Sequence, residues 1–576
     1  MTAGGESIQE QLRRLLGLEA TKDRQAASKV PARVPLAARP PDSRAKAGAK
    51  EPSEDSWKQG VKPLRRLDHS PFVARPDQRQ EHGVGGRRST RPVNRVIQKS
   101  AAKVPLPVRP AVKQAPSLLQ VLPPRRSVFH SSLKWFKSPE AWVERGRDLQ
   151  PWPPTRNVPL TVRLGIDFGT AFTKVAIRVA GQVYFLDWDG LSSGDTRYLL
   201  GGEVTEFADG SAVVGRAPNA KRVATYLKLP FVGMELPPSH IDLAQATVFV
   251  AWTMRYARAW LYKHHPQVIR GPKLVWEANL GAPTGSVRQG DRLLEQYQRI
   301  GLAAWKLSQE PTISLALATK ILATTQSAEF CDGLDRLDVV PEFMAQVAGY
   351  IKSPQRTDGL YLLMDVGAGT LDVACFRLHA DKEKKHDSLS LYESQVGPLG
   401  AHYLMQVREH LLELPAVAWN GTDKVPTQAA FAEMTGKTLQ EVKSADQQFE
   451  KLVERAVSRV ISKSRAHMDR AAKEWRDGLP VFVAGGGADL EPYHLGLLAG
   501  CRFERSTPVV RRFPVVRGIE ADFRIDAEAH SRLSVAYGLT FDADSIAELK
   551  LAQESWDSFG WRATSEGPDR DELYPK

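Results

Sequence analysis

Apolar and polar positions change rhythm three times along the chain. From Ile8 to Leu18 the order IQEQLRRLLGL puts Ile8, Leu12, Leu15 and Leu16 on one helical face, with Arg13 and Arg14 off it. That pattern predicts a short helix, either docked on a partner or frayed. From Thr21 to Pro154 no period of 2 or 3.6 is sustained, and proline recurs, as at Pro31, Pro35, Pro40, Pro41, Pro105, Pro107 and Pro110. Such a stretch has too little apolar surface to offset the entropy of ordering, so a disordered extension is expected. Within it, Ser127 to Trp152 regains bulk as Phe129, Leu133, Trp135, Phe136, Trp142 and Trp152. This segment is expected to pack along a folded body.

Regular periods begin at Val162. A strand is predicted over Val162–Ile166, ending in Asp167, with Lys174–Val179 and Val183–Leu186 as the next two antiparallel strands, turned at Gly181. Helices follow at Ile241–Tyr262 and Asp291–Leu307, with a strand at Leu274–Leu280 between them. His264 and His265 fall at the tip of the first helix rather than in a metal site. Further on, His402–Leu412, Ala430–Lys437 and Ala445–Trp475 read as helices, Asn420–Pro426 as a loop and Val481–Ala484 as a strand.

Three turns stand out. LGIDFGTAFTK (Leu164–Lys174) is an apolar strand that delivers an Asp to a Gly-Thr turn. LLMDVGAGTLD (Leu362–Asp372) repeats the pattern about two hundred residues on. Glycine lets backbone approach a ligand closely, and successive N–H groups make a concave anion site. A carboxylate beside it repels phosphate but can hold Mg²⁺, usually through water. In the third stretch, VFVAGGGAD (Val481–Asp489), a strand runs into Gly485, Gly486 and Gly487, where a planar ring could lie flat.

In this order and spacing the three segments resemble the two phosphate loops and the adenosine loop of the actin, sugar kinase and heat-shock chaperone ATPase superfamily. The nearest resemblance is to the nucleotide-binding domain of the seventy-kilodalton heat-shock chaperones. It covers roughly residues 160–542, about two thirds of the chain. It implies an α/β, two-lobed actin-like fold of duplicated ribonuclease-H-like domains, with ATP or ADP and Mg²⁺ as cofactors. Asp167 and Asp365 would serve the metal, and Asp372, a carboxylate of the metal or water shell, would be a catalytic residue. Gly169, Thr170, Ala171, Gly367, Ala368, Gly369 and Thr370 would lie at the phosphates, and Gly485, Gly486 and Gly487 at the nucleoside. The chaperones usually have a second hydroxyl residue where this chain has Ala171. They have a glycine where it has Ala368, which a turn tolerates only at negative φ.

Val213–Gly233 resembles the chaperone stretch that supplies a lysine to the γ-phosphate, where charge develops during transfer. Lys228 fits best, with Lys221 and Arg222 as competitors. Glu342 falls where the resemblance places a group that orients the attacking water and accepts its proton. VGPLGA (Val396–Ala401) resembles the Gly-Gly turn opening the smaller half of the second lobe, and LSVAYGL (Leu533–Leu539) resembles the closing helix that joins the lobe to the hinge. Lys463 or Arg465 would pack at the adenine.

Charge divides the chain further. Residues 1–150 hold 30 Lys and Arg against 14 Asp and Glu, the remainder 49 against 52, so the extension carries the whole net excess of +13. That charge suits a protein partner, nucleic acid, an anionic membrane or mere solubility, and no nucleic-acid motif accompanies it. The expected organisation is a basic tail over 1–126, an aromatic linker over 127–159, lobes over 160–360 and 361–542, and a tail over 543–576. No chaperone substrate-binding module is expected in so short a remainder. Cys331, Cys375 and Cys501 form no close pair, which argues against a disulfide framework or a zinc site and fits a reducing compartment. No apolar run reaches eighteen residues and no signal core is apparent, so a cytoplasmic protein without a membrane span is expected. The functional readings are a nucleotide-controlled switch, an actin-like filament former, a small-molecule kinase and an inactive nucleotide-binding scaffold.

Overall fold

The computed structural model describes residues 141–551, except 189–195, 233–237, 285–290, 327–329, 382–385, 416, 418–424, 468, 515–518 and 522–524. The expected helix at Ile8–Leu18, the proline-rich stretch, Phe129, Leu133, Trp135 and Phe136, and most of the 420–426 loop lie outside the described residues. The described residues are mixed α/β, with three sheets.

The first large sheet is built on β1 (Pro159–Asp167), which pairs antiparallel with β2 (Phe172–Val179). β2 pairs antiparallel with β3 (Gln182–Phe185) and also carries the short β4 (Leu200–Gly201). On its other side β1 runs parallel to β8 (Lys273–Ala282), and β8 runs parallel to β9 (Leu334–Pro341). The second large sheet repeats this plan. β10 (Gly359–Val366) pairs antiparallel with β11 (Leu371–Asp381), and β11 with β12 (His386–Gly397). β10 runs parallel to β13 (Leu479–Ala484), which runs parallel to β14 (Pro508–Arg511). Each sheet gains one late strand in parallel at its far edge: β15 (Ile519–Glu520) on β3, and β16 (Glu548–Leu551) on β12. The central strands β1 and β10 are covered on both faces, which explains their near-continuous apolar runs. A third, small sheet of β5 (Glu203–Glu206), β6 (Ala212–Val214) and β7 (Arg222–Thr225) is tied to the helix His240–His264 by the Trp252 indole, which donates to the Ala212 carbonyl at 2.7 Å.

Two boundaries move. Residues 142–152 pack onto the first core, while 153–158 are exposed. Trp142 packs edge-on against Tyr256, and buried Arg258 donates to the Gly146 carbonyl at 2.6 Å. The Trp276 indole donates to the Leu149 carbonyl at 2.8 Å. At the other end, β16 extends the second sheet past residue 542, where only a tail is expected.

The chain between the two late strands returns to the first sheet. Asn279 donates to the carbonyls of Leu539 and Phe541 at 2.7 Å each, and Arg178 to that of Thr540 at 3.0 Å. The helix Ala527–Gly538 in this return crosses the helix Glu342–Ile351. A Cβ added at Gly538 would sit 1.7 Å from the Ala345 carbonyl oxygen, so only glycine permits this approach. The crossing pair lies between the two large sheets, with Val535 and Leu539 packed among Phe343, Tyr361 and Phe376.

Candidate functional site

One cleft, with about 960 Å³ of open space, gathers nearly every residue singled out above. It is lined by Asp167, Gly169, Thr170 and Ala171 from the first hairpin, and by Asp365, Gly367, Ala368, Thr370 and Asp372 from the second. Gly485, Gly486, Gly487, Lys228 and Glu342 complete that set. Gly369 is the neighbour of this lining. A Cβ on it would meet the Thr170 methyl at 2.7 Å, so the two hairpin turns touch. Ala368 is not among the residues of positive φ, as its side chain requires. Gly485 is, at φ +89°, and a Cβ there would lie 2.3 Å from Asp365 Oδ1. That turn therefore needs glycine for conformation and for space.

Hairpin register sets the charges. Asp167 faces Lys174 across the first hairpin, and the two form an ion pair at 2.6 Å. Asp365 faces Asp372 across the second. Asp372 Oδ1 is buried and has no hydrogen-bond partner. Burial, and then the Asp365 and Glu342 charges, push Asp372 up to about 8. Burial and Glu342 push Asp365 up to about 6.

Lys228 follows β7 and starts a short 3-10 turn, Leu229–Phe231. It is buried and bonds Glu342 Oε1. Burial works against its charge, but Glu342 and Asp167 outweigh it and hold it protonated. Burial raises Glu342 above the usual carboxylate range, against the pull of Lys228. The competitors go elsewhere: Lys221 pairs with Glu206 at the surface, and Arg222 opens β7.

Glu342 is the first residue of the helix Glu342–Ile351, directly after β9. One turn on, buried Gln346 also lines the cleft and bonds Asp365. Lys174, Gln346, His402 and Arg532 are cleft residues that motif reading missed. Two of them carried a signal: Lys174 lies opposite Asp167 in any hairpin with that turn, and Gln346 is i+4 from Glu342. His402 and Arg532 reach the cleft only through tertiary packing.

Lys463 and Arg465 do not reach it. Lys463 is half-exposed, 3.8 Å from Glu393 beneath β12. Arg465 donates to the Glu504 carbonyl at 2.7 Å and stacks over Trp475. The long helix Leu439–His467 turns both away, because its apolar stripe, Phe449, Val453, Val457, Val460 and Ile461, is spent on the second core.

Within the cleft four acids, Asp167, Glu342, Asp365 and Asp372, interact with two ammonium groups, Lys174 and Lys228. Fully ionised, the acids exceed the lysines by two charges; with Asp372 raised to about 8, that excess develops near neutral pH only when a cation is there to offset it. Among the described residues no group of three or more His, Cys, Asp or Glu side chains is placed to ligate a metal directly. A cation here would keep much of its water, as Mg²⁺ does when one or two carboxylates and a phosphate hold it. The three cysteines are buried and free. No described helix is long and apolar enough to cross a membrane.

The chain matches no family model. No curated protein matches it either.

Proposed function

We propose that the chain is a magnesium-dependent ATPase of the two-lobed, actin-like type, acting as a nucleotide-controlled switch on a macromolecular partner. One observation carries the reading. Two hairpins of the same topology and a glycine turn converge on a cleft whose four acids outnumber its two lysines and, crowded together, are raised for want of a counter-charge. Bound there, Mg²⁺ would supply charge neutralisation for the phosphates.

The residues divide the work. Asp167 and Asp365 hold the hydrated cation. The two turns, with the Thr170 and Thr370 hydroxyls, face the phosphates. Lys228 meets the charge that develops on the terminal phosphate. Its bond to Glu342 Oε1 orients that carboxylate, which would align a water and take its proton. Burial that raises Glu342 suits it to this step, since a base works best with a pKa nearer the working pH. A ligand touching both hairpins biases the spacing of the two sheets about the helix crossing at Gly538, which is how hydrolysis would reach a partner.

Calorimetry tests the reading directly. ATP should bind in the presence of Mg²⁺ and lose most of its affinity in EDTA. Absence of binding with Mg²⁺ present would sink it.

A further inference from the structure

We infer that Tyr226 and His402 form a latch between the two hairpin turns, and that opening it sets the rate at which bound nucleotide leaves. The latch rests on the nucleotide reading of the cleft and adds to it the control of exchange.

Each ring is fixed to a different hairpin. His402 is the second residue of the helix Ala401–Leu411, which starts on the second turn. The Ala401 and His402 N–H groups donate to the Gly367 and Ala368 carbonyls at 2.9 Å each. A Cβ on Gly400 would lie 2.4 Å from the Ala368 carbonyl oxygen, so the helix start is pressed onto that turn. Tyr226 follows β7 of the small sheet and shares a recess with Thr170, Ala171 and Phe172 of the first hairpin. Gly202, in the same recess, donates its N–H to the Ala171 carbonyl at 2.8 Å. The two rings meet edge-on, with centroids 6.3 Å apart. The turns already touch at Thr170 and Gly369. The ring pair is a second tie between the same two turns, made by side chains that belong to neither.

Tyr226 holds φ at +55°, a conformation that a bulky side chain seldom adopts. Strain of this kind persists where the surroundings impose it, and it gathers at ligand clamps and switches. The strained residue is also joined to the reacting end of the cleft. Its carbonyl accepts from the Leu229 N–H at 2.9 Å, closing a turn that contains Lys228. A nucleotide gripped by both turns leaves as they part, and parting them breaks the ring contact. Burial pushes His402 down to about 3 and raises the Tyr226 hydroxyl, so both rings are neutral and the tie is no ion pair.

Release of a fluorescent MgADP analogue, chased with excess MgATP on the full chain, tests this, with melting temperature as the check on folding. Tyr226→Asn removes the ring but keeps a residue that tolerates positive φ. Release should quicken about three- to tenfold, the scale of one aromatic pair, with single-turnover hydrolysis nearly unchanged. Tyr226→Phe keeps the ring and should release at the wild-type rate. His402→Ala opens the contact from the other side, should quicken release by a similar factor, and decides the matter if Tyr226→Asn does not fold. Combining the two substitutions should add nothing further, since each removes the same contact. Folded variants that release at the wild-type rate overturn the inference. So does a Phe variant as fast as the Asn variant, or two effects that multiply when combined. Slower hydrolysis at an unchanged release rate overturns it as well, since Tyr226 would then only support Lys228. In all these cases the nucleotide reading stands. Failure of the wild type to bind any magnesium nucleotide removes the nucleotide reading, and this inference with it.

Discussion

The first and second hairpins are one backbone device with opposite electrostatics. In each, an Asp stands at or next to the end of the central strand, a glycine-containing turn follows, and the cross-strand partner lies seven residues later. In the first hairpin that partner is Lys174, and Asp167 is neutralised inside its own hairpin. In the second it is Asp372, and burial plus repulsion push both acids upward. Duplicated geometry thus does not require duplicated chemistry. One hairpin is self-sufficient, and the other is complete only when protonated or supplied with a cation.

The largest test of that contrast makes the second hairpin like the first. Asp372→Lys should cancel the surplus negative charge, and magnesium-dependent turnover should fall roughly a thousandfold, the upper scale for losing a preorganised charge. Single-turnover hydrolysis within a factor of ten of wild type would refute the charge account. The converse damage is Lys174→Ala, which leaves Asp167 buried without its partner. Breaking a buried pair costs about 3 kcal/mol, and denaturant unfolding should show a loss near that size, partly restored by Mg²⁺.

Glu342→Ala removes the proposed base but neither hairpin. Hydrolysis should drop roughly a hundredfold with nucleotide affinity nearly intact; unchanged hydrolysis would free Glu342 from the role. A smaller effect concerns pH. Asp372 and Asp365 have folded-state values raised to about 8 and about 6, above those of an unfolded chain. Their stabilising contribution is therefore complete below about pH 4 and is lost as pH rises through 6 and then 8. Without added Mg²⁺ the melting temperature should fall across that window, and Asp372→Asn or Mg²⁺ should flatten the fall. A melting temperature that climbs with pH would contradict the raised values. The smallest effect should come from outside the described residues. Deleting about the first 125 residues should leave melting and nucleotide affinity almost unchanged, while a salt-sensitive partner interaction, screened within about 10 Å at 0.1 M salt, weakens or disappears.

The hairpins and the triple glycine were readable in the sequence because they are local: strand, acid, turn and spacing fall within a dozen residues. So was Glu342, at a junction of strand and helix. Lys463 and Arg465 misled because periodicity shows that a helix has a polar face but not what that face meets. Their helix directs them to Glu393 and Glu504. Arg532 stayed hidden for a related reason. Its helix reads as a closing element, and only the crossing with Glu342–Ile351 turns it toward the glycine turn. The edge strands β15 and β16 are short and borrow their stability from neighbours already in place, so no pattern marks them.

The return of residues 519–541 to the first sheet has a consequence for synthesis. A ribosome makes β1, β2, β3 and β8 early, yet the side chains of Asn279 and Arg178 wait for carbonyls at 539–541, and β3 waits for its neighbour β15. Until those residues emerge, the nascent first half presents an open strand edge and a buried amide without acceptors. The half that is translated first therefore waits for residues made after most of the second, and a chain interrupted before residue 541 leaves its earliest sheet unfinished.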